Sequence, residues 1–151
     1  MKRPIPLTAV TDVMTLQRDQ ARSTLGLAQS EWQKAQAQME VLKGYQSDNQ
    51  RRWIERGHHG VTAPLIGHHM AMLDKIEHAM AYQQQVMARL EQQVAQCQED
   101  LLKAETKLAS FKQYQSRQQQ QWQQHQDRQL QKQMDEMAAN RHRLNTASAP
   151  L

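Results

Sequence analysis

The chain has 151 residues, 38% hydrophobic but only 5% aromatic, with a mean hydropathy of -0.90, which is too polar for a large globular interior. Its 19 Lys and Arg against 15 Asp and Glu give a net charge of +4 and a pI near 9.4, yet both signs are interspersed, and nucleic-acid binding, which needs a concentrated basic surface, is not expected. It has no Gly-rich phosphate loop, Gly-x-Ser-x-Gly elbow or paired Cys motif, so neither an enzyme nor a cofactor protein is expected.

Lys2 and Arg3 are followed by no apolar run of signal-peptide length, and nothing approaches a membrane span, which predicts a cytoplasmic protein. Pro4 and Pro6 keep the first residues extended; Thr8 then supplies a capping oxygen and Asp12 a first-turn acid for a helix expected over about 8–56. Its apolar series, Leu7, Met14, Ala21, Leu25, Ala28, Trp32, Ala35, Met39 and Leu42, advances by steps that fit one face of a helix and continues more weakly through Gln46, Asn49 and Trp53. Ala21, Ala28 and Ala35 recur every seventh residue, so two backbones can approach closely while Leu25, Trp32 and Met39 fill the alternate layers.

Gly57-His58-His59-Gly60 breaks this helix, with Gly57 where a left-handed C-cap would fall, and the loop is expected over about 57–63. Thr62 as N-cap and Pro64 in the first turn begin a second helix, expected over about 64–144 and followed by a flexible tail at 145–151. Its seam runs from Ile66 and His69 through Leu73, Ile76, Met80, Gln83 and Met87 to Leu108 and Phe111, at alternating steps of three and four. A helix of that length would extend roughly 120 Å at about 1.5 Å per residue, so a rod is expected rather than a compact body. The short connection makes the helices antiparallel, with residue i facing about 120 minus i. The expected fold is all-α: one coiled-coil domain over 1–151, a hairpin of two long helices in which the second overhangs the first by some 30 residues.

Cys97 lies on the seam and reads as a small buried apolar residue in a reducing compartment. His58, His59, His68 and His69 gather near the hairpin tip and could hold Zn or Ni, but they lack i, i+4 spacing and no carboxylate or thiolate joins them. They read as solvated loop histidines. Leu65, Met72, Ala79 and Val86 form a second apolar series one position before the seam, so part of this wide stripe should stay exposed. With Gln38, Leu42 and Tyr45 at matching height on the first helix, it resembles a protein docking site. In the overhang, 12 of the 21 residues from Gln113 to Gln133 are Gln, a composition that permits disorder. Against disorder stands an apolar series that resumes after a one-residue phase slip beyond Trp122, at Leu130, Met134, Met137 and Leu144, among the cations Arg128, Lys132, Arg141 and Arg143. An amphipathic helix without an internal partner should find an external one.

Over nearly its whole length the chain resembles the flagellar export protein FliJ family, a cytoplasmic component of the flagellar type III secretion apparatus. The resemblance is carried by Gln38 through Gln46, with Leu42, Tyr45 and Gln46 in place, by Glu77-His78-Ala79-Met80, and by Met134-Asp135-Glu136-Met137-Ala138 followed by Arg141. It implies a non-enzymatic stalk whose terminal region enters the ring of the hexameric export ATPase FliI, and which contacts the export gate protein FlhA and substrate-specific export chaperones. The protein would then be cytoplasmic and reach the inner membrane at the flagellar base through these partners. The gate surface carries over onto Gln38, Leu42, Tyr45, Met72, Ile76 and Ala79; Asn49 stands where the family can have an aromatic, and Met72 replaces a Phe. The ring surface falls on Arg128, Leu130, Lys132, Met134, Met137, Arg141 and Leu144. Injectisome stalks of the YscO type share this architecture and are the alternative within the class; a basic coiled coil that binds nucleic acid or metal is the alternative outside it.

Overall fold

The computed structural model describes residues 1–148 and consists of two helices, α1 (Thr8–Gly57) and α2 (Ala63–Ala147), packed against each other as an all-α hairpin. The carbonyl of Leu7 accepts the Thr11 N–H at 3.0 Å, so Leu7 holds the position ahead of the first turn. Thr8 is therefore already helical rather than the cap expected of it, and Asp12 falls beyond a first turn that holds no acid. At the other end of α1, the N–H groups of His58 and His59 donate to the carbonyls of Glu55 and Arg56 at 3.2 and 3.0 Å, tightening the chain into the loop. The left-handed backbone expected at Gly57 occurs instead at Gly60, whose φ of 89° any side chain would strain. Thr62 stands just before α2 as expected, its carbonyl accepting the Ile66 N–H at 3.1 Å, with Pro64 in the first turn where its missing donor costs no helical bond. α2 continues through Asn145, Thr146 and Ala147, so the tail expected from 145 is helical at its start. Residues 149–151 lie outside the described residues.

The chain divides into two compact units, Gln17–Ala104 and Met1–Leu16 with the segment from Glu105 onward. In Gln17–Ala104 the inward positions of α1 are Arg18, Ala21, Leu25, Ala28, Trp32, Ala35, Met39, Leu42, Gln46, Asn49 and Trp53, alternating steps of three and four. Ala28, Ala35 and Met39 are buried, and so are Ile76, Gln83 and Cys97 of α2. Most other layers are only half-buried, as two helices can cover one face of each side chain but not both. Since full burial of a large apolar side chain is worth about 1.5–3 kcal/mol, each layer contributes a fraction of that, and stability depends on the sum over many layers. Register is fixed by Gln83, whose side-chain amide donates to the Ala35 carbonyl at 2.8 Å and to Gln38 Oε1 at 3.4 Å. At the loop end the seam closes on Trp53 and His69, stacked with ring centroids 3.9 Å apart and planes 5° from parallel. Ile66, expected in the seam, lies beyond that closing pair and is 44% exposed.

In the second unit, Leu7, just before α1, and Met14 of α1 are half-buried, as are Phe111, Gln115, Gln118 and Trp122 of α2, and Leu108 is 3% exposed. The register here departs from the symmetric expectation. Thr11 donates its hydroxyl to Gln115 Oε1 at 3.2 Å, several residues further along α2 than the mirror rule places it, because this polar pair occupies a seam layer that apolar side chains do not specify.

Candidate functional site

The docking surface expected near the hairpin tip is formed by both helices. Tyr45 is 61% and Met72 53% exposed, and Gln38 is also exposed, its amide oxygen taking the second hydrogen bond from Gln83. Leu42 and Ala79 are half-buried at the edge of the seam, whereas Ile76 is a core residue that supports this surface from beneath. Of the wide stripe, Leu65, Ala79 and Val86 are half-buried and Met72 alone is exposed, so side-chain splay covers most of the second apolar series.

Arg128, Leu130, Lys132, Met134, Met137, Arg141 and Leu144 are all exposed on α2, with Met137 and Leu144 near 70%. The helix carries them without a packing partner. Its Gln-rich tract holds itself helical partly through i, i+4 bonds from side-chain amides to carboxylates, Gln123 to Asp127 at 3.1 Å and Gln131 to Asp135 at 3.2 Å. The uncovered face begins later than α1 alone would leave it. Arg3, Pro4, Ile5, Pro6 and Leu7, which precede α1, lie beside Tyr114, Gln115, Gln118 and Gln119 of α2, and the Arg3 guanidinium sits 5.8 Å from the Trp122 ring centroid. Trp122, with Arg3 over its ring, and His125 are half-buried, and every described residue from Gln126 on is exposed. The phase slip between Trp122 and Leu130 thus coincides with the point at which intramolecular cover ends.

Three features were not legible in the apolar pattern. Arg18 occupies a seam position, and its guanidinium bends out to Asp19 at 2.9 Å, the route by which a long cationic side chain lines a seam without burying charge. His69, placed by its spacing in the seam but also grouped with the solvated loop histidines, is half-buried and stacked on Trp53, an aromatic pairing that the pattern did not announce, while His58, His59 and His68 are exposed; among the described residues no three metal-ligating side chains come together. Asn49 and Trp32 each place a buried side-chain N–H where no protein acceptor meets it. Asn49 is also one of the residues that line a concavity of about 190 Å³, with Arg52, Trp53, Arg56, Leu65, His68, His69 and Met72. A cluster of neutral and basic residues split between the last turns of one helix and the first turns of another leaves no periodic trace.

The family model for the flagellar FliJ protein matches residues 1–147. Among solved structures, the chain is similar to that of a YscO homolog from Chlamydia trachomatis, with a TM-score of 0.56 and 19% identity over 99% of this chain and 100% of the other. That likeness is one of fold. No curated protein sequence matches the chain. A family match over residues 1–147, which span both helices of the hairpin, identifies the chain as a member of the flagellar FliJ family.

Proposed function

We propose that this chain is the non-enzymatic stalk of a flagellar type III export apparatus, that the end of α2 enters the ring of the export ATPase FliI and promotes its assembly, and that the Tyr45 and Met72 surface contacts the export gate protein FlhA. Substrate-specific export chaperones are the third class of partner. Family membership supports the stalk role, and the assignment of surfaces rests on one observation: from Gln126 onward α2 carries Leu130, Met134, Met137 and Leu144 at helical spacing, all exposed. A lone helix cannot bury that face, and each such side chain gains about 1.5–3 kcal/mol on full burial, so a partner that surrounds the helix is favoured. Arg128, Lys132 and Arg141 suit acidic loops lining such a ring, where they would govern orientation and on-rate more than net affinity. No helix among the described residues is long and apolar enough to cross a membrane, in keeping with a cytoplasmic stalk that reaches the inner membrane through its partners.

Deleting residues 128–151 tests the reading, because the last side chains covered within the chain are Trp122 and His125. The truncated protein is expected to keep its melting transition and to lose stimulation of FliI ring assembly, followed by ATPase rate against protein concentration. Unchanged stimulation at the full-length concentration would move the ring contact elsewhere, with the hairpin tip as the next candidate.

A further inference from the structure

The concavity at the hairpin tip shares Met72 with the proposed gate surface but adds a basic chemistry that the rest of that surface lacks. Its ionisable lining is entirely basic or neutral: Arg52 and Arg56 from the last turns of α1, His68 and His69 from the first turns of α2. No acidic side chain lines it. Arg51, the neighbour of Arg52, is paired with Asp48 at 3.0 Å, whereas Arg52 and Arg56 make no ion pair within the described residues. Asn49 also lines it, although its unpartnered amide N–H is itself buried. The remaining wall is apolar: the Trp53 ring, held in place by its stack on His69, together with Leu65 and Met72. A bare inorganic anion would use the cations and leave that wall in water. A carboxylate carried next to an apolar side chain would use both.

We infer that this pocket is a recognition site for an acidic peptide segment of a protein partner, with a carboxylate held by Arg52 and Arg56 and the neighbouring apolar side chain against Trp53, Leu65 and Met72. Arginine suits the role because its planar fork can bind a carboxylate through two parallel hydrogen bonds. The volume of about 190 Å³ accommodates one or two side chains, so the contact is an anchor point rather than a whole interface. Arg52 follows Tyr45 by seven residues and Leu65 precedes Met72 by seven, so by helical repeat the pocket continues the side of the hairpin on which Tyr45 and Met72 are exposed. The inference does not depend on which protein binds there, and its test requires neither the gate nor the ATPase.

The test is a side-chain NMR titration of the full chain with a panel of capped tetrapeptides, each holding two carboxylates beside Phe, Leu or Met, with the matched Asn and Gln peptides and inorganic phosphate as comparison probes. At least one acidic peptide should shift the Asn49 amide and His69 ring signals saturably while leaving Gln115 unmoved, and its amide counterpart should bind at least tenfold more weakly. The double variant R52Q/R56Q, with both positions exposed on a helix, should keep its far-ultraviolet circular dichroism and lose at least tenfold in affinity. The inference is overturned if no acidic peptide shifts these signals at millimolar concentration, or if R52Q/R56Q binds as the parent does. It is also overturned if phosphate saturates the same signals as tightly as the best peptide, since the apolar wall would then have no role.

Discussion

Gln83 shows how one polar residue can specify a seam made mostly of half-covered layers. Its amide bonds the Ala35 carbonyl and Gln38 across the helix pair, in a layer where the side chain is 8% exposed. Gln83→Ala removes both bonds and leaves a void, and is expected to cost about 1–3 kcal/mol, a drop of several degrees in the melting temperature followed by circular dichroism. Gln83→Leu keeps the volume and leaves no unpaired buried group, because the Ala35 carbonyl retains its helical bond; this variant should melt at or above the parent. Equal losses in the two variants would mean that the polar bonds, which both remove, and not the volume govern the layer. The same logic separates the two ends of α2: Leu108→Ala, at 3% exposure, should cost about 2–5 kcal/mol, whereas Leu130→Ala, at 57%, should stay within about 0.5 kcal/mol. A comparable loss at Leu130 would show that the overhang packs on something within the chain.

At the scale of the element, the three-four spacing was sufficient to read both helices, their antiparallel pairing and most seam positions, since a two-helix seam has one periodicity and few alternatives. What escaped was set by individual side chains rather than by the stripe. The Thr11 and Gln115 pair shifts the register near the start of α1, Arg18 fills a seam layer, and the Trp53 and His69 stack ends the seam before Ile66. The extended residues before α1 were read only as a proline-stiffened start, because nothing in a non-periodic segment announces that Arg3 will reach Trp122. Of the candidate sites, the exposure of Tyr45, Met72 and the overhang was legible, and so was the depth of Ile76, which the seam spacing places inside although the family resemblance counts it with the gate surface. Tyr45→Ala and Met72→Ala should therefore leave helicity and melting temperature nearly unchanged while weakening FlhA binding, measured by calorimetry. A large loss of stability with intact binding would reverse the assignment of surface and core at these two positions.

At the scale of the whole chain, one continuous helix carries residues of both proposed contact surfaces, Met72 near its start and Leu130 to Leu144 near its end. A stalk of this kind acts by which partner each surface holds, so the central claim concerns the identity of the protein that covers the end of α2. The most direct measurement is site-specific photocrosslinking in cells from Met137, on the exposed apolar face, and from Ala139, two residues on and roughly opposite on the helix. The account predicts an adduct with FliI from position 137, little or none from position 139, and loss of the adduct when Leu130 and Met134 are both changed to Asp. Equal yields from the two positions, or an adduct from Met137 with FlhA in place of FliI, would contradict it.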